Sequence, residues 1–419
     1  MNTSASPDHR LRRILHDELH ARSSLYFEAP ANVWHVAMLI DPAMDVPPSL
    51  LILPDVEVSP DRRHGIAPLG EGRLKWERHT EFLTLTFVFP ARPGQRWLQE
   101  PDRAVALCKT VASERIAAVH IRVETQEHGA SILGTCGFVD PVASHVGGRD
   151  GTAWSDFRLD AGGYVRILFG CHRLNAYRTG RMVRRLLEIE TYRMMALLGL
   201  PLAREAAQKL NLLDVRLTSL VLQMRTETRS EKDLLSDITR LSSEVMGFIA
   251  SSRDRFSATA AYAELVMDRI AELREDRVEG HQRVGVFLER RFRPAIRTCA
   301  VTERRLDRLA ESVAQAGDLL RTTVQVALAE QNAALLHSVE RRARTQVRIQ
   351  QAVEGFSIIA ISYYLINLFK LAMDSAVNLG LDGKGAKSAM LITIPAVLAA
   401  VGLVVRRVRR AIADEQAGS

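Results

Sequence analysis

The chain is 419 residues long, 47% hydrophobic, 25% charged and 6% aromatic, with four cysteines. That balance excludes an intrinsically disordered chain, a disulfide-stapled scaffold and a collagen-like fibre, and the length predicts roughly two to three structural units. Fifty-six basic against 49 acidic residues leave a net charge of +7, so where the excess lies matters more than its size.

The first ten residues are polar and carry no apolar run behind their charges, so no secretory signal peptide is expected. A helical pattern spans Arg10 to His20 and contains HDELH, which sets His16 and His20 four residues apart on one face. Such a pair can share a metal ion, with His35 or Glu28 as a third ligand, but the glutamate that activates water in the H-E-x-x-H pattern is replaced by Asp17. No resident cofactor beyond such a divalent metal ion is predicted. A histidine-bearing amphipathic helix packed on a sheet explains the same spacing.

Four β-rich runs follow: Val33 to Ile40, Glu81 to Phe89, Ala117 to Glu124 and Tyr164 to Gly170, with a helical stretch from Asp102 to Arg115 between them. Strands alternating with helices predict a mixed sheet with helices on one face. Read as a strand, WERHTEF places Glu77, His79 and Glu81 on one side and Arg78 and Thr80 on the other, an arrangement open to acid-base work or to a salt-bridged sheet surface. VGGRDG, residues 146–151, reads as a loop. Cys108, Cys136, Cys171 and Cys299 lack metal-site spacing and read as packed, reduced thiols.

From about Thr179 glycine and proline nearly vanish and apolar residues recur at three and four spacing. Gly199-Leu200-Pro201 ends one helix, a second is expected from about Leu202 to past residue 270, and Pro294 marks a further break. The last helix is expected from about Ala295 to Glu354, entering an apolar segment as a stalk of about 80 Å. Leu306, Leu309, Val313, Ala316 and Leu320 fit a heptad that drifts to Val324, Leu328, Leu335 and Val339, which implies helix pairing. The basic run ERRFRPAIR, residues 289–297, lacks stacking aromatics and reads as a solvated helix end, so no nucleic acid is expected.

Two apolar stretches close the chain, Phe356 to Met373 and Ser388 to Val405, and only Lys370 is charged within them. Eighteen residues at 1.5 Å rise span about 27 Å, enough to cross a hydrocarbon core, so a transmembrane hairpin is predicted. Arg341, Arg342, Arg344 and Arg348 precede it and Arg406, Arg407, Arg409 and Arg410 follow, against Lys384 and Lys387 in the loop. That asymmetry places both termini in the cytoplasm and the arginines against anionic headgroups. GLDGKGAKS in the loop fails the phosphate-binding pattern because Ala386 separates Gly385 from Lys387.

The fold class is therefore α+β: a cytoplasmic α/β domain over 1–178, a long coiled-coil-like helical stalk over 179–354, a two-helix hairpin over 355–406 with spans 356–373 and 388–405, and a basic tail over 407–419. LHDELHAR, EAPANVWHVAML, KWERHTEF, the WSDFRLDAGGY and RLLEIETYRMMALLGLP blocks and QQAVEGFSIIAISYY together resemble a bacterial family of predicted membrane-anchored proteins, domain of unknown function 3422. The resemblance covers nearly the whole chain and implies a C-terminal anchor in the inner membrane; it supplies no reaction. The layout is also similar to magnesium transporters of the CorA type, but their Gly-Met-Asn signature is missing, and Asn367 in LINLFKLAMDS is the nearest polar match. A homo-oligomeric, non-enzymatic scaffold or regulatory and sensing protein is the expected role. An oligomeric ion channel lined by Ser362, Tyr364 and Asn367 is the alternative, and a metal-dependent enzyme using His16, His20 and His35 a third.

Overall fold

A computed structural model describes residues 9–18, 25–93, 97–111, 113–226, 229–378 and 392–407. The chain forms two compact units, Met1–Asp318 and Leu319–Ser419.

The first unit opens with α1 (Arg12–Glu18), β1 (Ala31–Leu39), α2 (Pro48–Leu51), β2 (Glu57–Val58), β3 (His64–Leu69), β4 (Gly72–Arg78) and β5 (Phe82–Pro90). Then come α3 (Asp102–Thr110), β6 (Arg115–Thr125), α4 (Gln126–Ile132), β7 (Val142–Val146), β8 (Gly151–Ser155) and β9 (Val165–Cys171). Helices α5 (Ala176–Leu197), α6 (Gly199–Thr226) and α7 (Glu231–Glu272), the short β10 (Asp276–Arg277) and the long α8 (Val284–Asn378) complete the series.

All ten strands join one sheet in the order β10-β7-β8-β9-β6-β1-β5-β4-β3-β2. Its pairs are antiparallel except β6 with β9, which run parallel. Helices cover both faces, not one. On the first face Val33, Ile121, Val123 and Phe169 pack beneath Val183, Leu187 and Met195 of α5, with Val266 and Ile270 of α7. On the second, Trp34, Leu74, Trp76 and Phe87 meet Ala104 of α3 and Val111, and Cys136, just beyond α4, meets Trp154 and Leu168. Burial from both sides is why β1 reads as a nearly continuous apolar run, since neither face of the strand is solvated. All four cysteines are free thiols.

The predicted division at residue 178 does not follow the packing, because α5 lies on the sheet as part of its core. The long second helix is in fact two, α6 and α7, and Ser230 with Glu231 and Asp233 supplies the acidic start that favours a new N-terminus. Buried residues recur at three and four spacing on all three long helices: Leu210, Leu213, Leu217 and Leu220 on α6, Leu234, Ile238, Leu241 and Val245 on α7, Leu306, Leu309, Val313 and Ala316 on α8. Arg305 of α8 ion-pairs with Asp214 of α6, Arg216 of α6 meets Glu244 of α7 at 3.1 Å, and Gly317 of α8 lies against Ile238 of α7. That stretch of heptad is thus covered by helices of the same chain. Pro294 does not break α8. It is exposed, as is Arg290 four residues before it, and Leu288 and Phe292 on either side of that turn are held in the core.

In the second unit, every residue from 328 to 353 is exposed. One helix among the described residues, α8, contains a segment long and apolar enough to cross a membrane, with mean hydropathy 1.6. There Phe356, Ile359, Tyr363, Leu368 and Leu371 are each more than 60% exposed. Residues 392–407 are also helical, but 379–391, which hold the predicted loop and the start of the second span, lie outside the described residues, as does 408–419. The predicted hairpin therefore reduces to one membrane-length helix within the described chain.

Candidate functional site

Alternate residues of a strand face the same side of a sheet, and register aligns three strands into polar rows on the α5 face. His35 of β1 is opposite Thr86 of β5, which is opposite Lys75 of β4; in the next row Thr84 is opposite Glu77. A row of Val33 and Val88 lies on the other side of the first. Above them runs α5, started by Asn175, whose side chain accepts from the Arg178 amide at 2.9 Å, and its Arg184, Glu188, Thr191 and Tyr192 look down on the rows at three and four spacing. The segment at Leu25 crosses α5 closely: a Cβ on Gly180 would sit 1.8 Å from the Leu25 carbonyl oxygen.

Between these layers lies a cavity of about 50 Å³, room for several waters or a small polar molecule at about 10–15 Å³ per water. Lys75 is 4% exposed and meets Glu77 at 3.0 Å. Arg184 meets Glu188 at 2.6 Å, and Arg269 of α7 binds the other oxygen of Glu188. Burial pulls the Lys75 ammonium below its usual pKa although Glu77 opposes it. Burial pushes the Glu77 carboxyl up, but Lys75 and Arg184 outweigh it and hold it below the usual carboxylate range. The result is an ion pair, buried at Lys75 and half-buried at Glu77, that lines the cavity.

His35 is 6% exposed. Its Nδ1 is 2.8 Å from Thr86 Oγ1 and its Nε2 is 3.0 Å from Thr191 Oγ1. A neutral imidazole donates through one nitrogen and accepts through the other, so both are used. Burial lowers its pKa to about 4, with Lys75 and His79 adding to that shift and Glu77 opposing it. His35 is thus an uncharged strut with no lone pair left for a metal ion, which removes it from the predicted ligand set. His16 lies on exposed α1 and His20 outside the described residues; among the described residues no group of three metal-binding side chains forms.

WERHTEF is not one strand. It is the end of β4, a tight turn at residues 79–81 and the start of β5, closed by the His79 amide donating to the Phe82 carbonyl at 2.8 Å. Glu77 and His79 line the cavity, with His79 stacked on Phe82 at 4.2 Å, while Glu81 is drawn away to Arg255 of α7. Three aligned acid-base groups therefore do not exist.

A family model described as a protein of unknown function, DUF3422, matches residues 7–412. The chain belongs to the DUF3422 family. No curated protein matches it, and no solved structure does.

Sequence reasoning missed a second polar group in this DUF3422 chain, on the opposite sheet face. His120 stacks on Trp34 at 4.5 Å and meets Asn32 Oδ1 at 3.2 Å, and Arg122 donates twice to one oxygen of Glu124, at 3.0 and 2.6 Å. Burial, with Arg122 and Arg166 nearby, lowers the His120 pKa to about 3. The signal was the alternation of His120, Arg122 and Glu124 along an otherwise apolar strand. The remaining predicted site residues of the DUF3422 chain lie in its second unit. Arg341, Arg342, Arg344, Arg348, Arg406 and Arg407 are exposed, and Arg409 and Arg410 lie outside the described residues. Ser362 is buried while Tyr364 and Asn367 are exposed. At about 100° per residue Tyr364 lies about 200° around the helix from Ser362, so the three do not form one line.

Proposed function

We propose that this protein is a membrane-anchored regulatory or sensing protein without catalysis of its own. Its α+β unit faces the cytoplasm and holds a small polar ligand beside the Lys75–Glu77 pair. The observation that supports it most is the apolar stretch of α8 beyond Gly355, most of whose apolar side chains are exposed, including Phe356, Ile359, Leu368 and Leu371. Water makes such a surface unfavourable at about 25 cal/mol per Å², and lipid does not.

In this reading Phe356 to Met373 and Ser388 to Val405 cross a bacterial inner membrane as a hairpin. The flanking arginines lie at the cytoplasmic face against anionic lipid, and both termini are inside. The test is fractionation of the full chain followed by alkaline extraction and protease treatment of spheroplasts. The protein is expected in the extracted membrane pellet with its α+β unit protected from outside protease. Ile359→Arg together with Leu365→Arg, each costing about 3 kcal/mol at mid-span, is expected to move protein to the supernatant. Full-length protein found in the supernatant, or cut from outside within the α+β unit, ends the proposal.

A further inference from the structure

Every residue of α8 from Leu328 to Val353 is exposed among the described residues. This stretch is not polar all round. Leu328, Asn332, Leu335, Val339, Arg342, Gln346, Ile349 and Val353 recur with alternating steps of four and three and form a single stripe. Leu328, Leu335, Val339, Ile349 and Val353 are between 54% and 64% exposed. In heptad terms Leu328, Leu335 and Ile349 occupy d, and Val339 and Val353 occupy a, with Asn332 also at a. Valine at a with leucine at d favours two strands, and a single asparagine at a fixes register in parallel pairs.

The charges agree with the stripe. Glu330, Glu340, Arg341, Arg344 and Arg348 fall at the outer positions b, c and f, and the flanking e and g positions are Ala329, Gln331, Leu336, Ser338, Ala343, Thr345, Gln350 and Ala352, all uncharged. No like charges would therefore face one another across the flanks of a symmetric pair. Arg342 is the one charged residue on the stripe, and its stem can lie along the seam with the guanidinium turned outward. At 1.5 Å rise and about 11 Å diameter, covering a little under half the circumference of 26 residues removes roughly 600 Å² per helix, close to the ~800 Å² per partner of a standard interface.

We infer that Leu328–Val353 of α8 is the interface of a parallel, two-stranded dimer with a second copy of this chain. The direction rests on the membrane reading above, because two chains anchored in one membrane with the same topology enter it in parallel. The pairing itself rests only on the stripe.

The experiment uses full-length protein in detergent and in vesicles. Leu328→Cys and Val353→Cys, placed singly at the two ends of the stripe, are oxidised and compared with unsubstituted protein and with outward-facing Arg344→Cys. Both end positions are expected to form self-disulfides, Arg344→Cys and the native thiols not, and the protein mass by light scattering is expected to be twice 46.7 kDa. Leu335→Lys with Val339→Lys, which leaves the buried core untouched, is expected to cut cross-linking by about tenfold or more, and Arg342→Leu to tighten the pair by about tenfold. A monomer in the membrane fraction, a trimer or larger assembly, or absence of self-disulfides at both ends overturns the inference while the membrane reading stands. Self-disulfides at both ends in protein that stays in the supernatant uphold the dimer and overturn the membrane anchor.

Discussion

Glu77 reads in the sequence as part of a strand surface open to acid-base work or to salt bridges, yet with Lys75, two residues before it on β4, it faces a cavity roofed by α5. Alternation told which residues share a face; it did not tell that a helix covers that face. The same cover turns His35 from a candidate metal ligand into a neutral strut between two threonines. Thr191→Val keeps the shape and removes one of those partners, leaving a buried imidazole nitrogen unpaired at a cost of about 1–3 kcal/mol. Denaturant melts of the two proteins should differ by that amount, and identical midpoints would show that the hydroxyl does not hold the ring. The folded His35 pKa of about 4 lies below the unfolded value of 6.5, so the unfolded chain binds the proton first. Its contribution is fully present above about pH 6.5 and is lost as pH falls toward 4, on the order of 3 kcal/mol. His120 acts in the same direction and over a wider window. Unfolding free energies measured from pH 7.5 to 4.5 should fall steadily, and less steeply in His35→Gln; a flat profile would contradict two buried neutral histidines.

At the scale of elements, the strands most clearly marked in the sequence are those buried on both faces. β1, β5 and β9 are mostly apolar and β6 is apolar on its α5 face, whereas β2, β3, β7, β8 and β10 are short or broken by glycine, with pairings supplied by their neighbours. The break between α6 and α7 had a local signal in Ser230 and its acidic followers, masked by apolar periodicity that continues on both sides. Pro294 is the reverse case, a local stop signal overridden because the residues around it are packed. An interior proline costs up to about 3 kcal/mol relative to alanine. Pro294→Ala should therefore raise stability by about 1–2 kcal/mol, read as a higher thermal midpoint; a lower midpoint would mean that the turn at Pro294 is shaped to the ring.

For the whole molecule, composition located the apolar segments and the long helix that carries the first of them. It could not divide the chain correctly, because a helix assigned by periodicity to a stalk, α5, belongs to the sheet's core. The boundary between the two compact units falls inside α8, where no proline or glycine punctuates the sequence. If the α+β unit owes nothing to the apolar end, a chain stopped after Glu354 should stay in the supernatant and unfold at the midpoint of the full protein. A drop of more than about 4 °C, which corresponds to about 1 kcal/mol or more for a domain larger than 150 residues, would show that the anchor region stabilises the fold.

The amino-acid sequence by itself determined the α+β class, the positions of β1, β5, β6 and β9, the long final helix and its apolar stretch, because each depends on periodicity or local composition that one element carries alone. Only the tertiary structure decided that helices cover both sheet faces, that Glu77 and His79 share a cavity while Glu81 leaves it, and that His35 has no free nitrogen. Those are contacts between residues far apart in the chain, and no local pattern encodes which surface another element will cover.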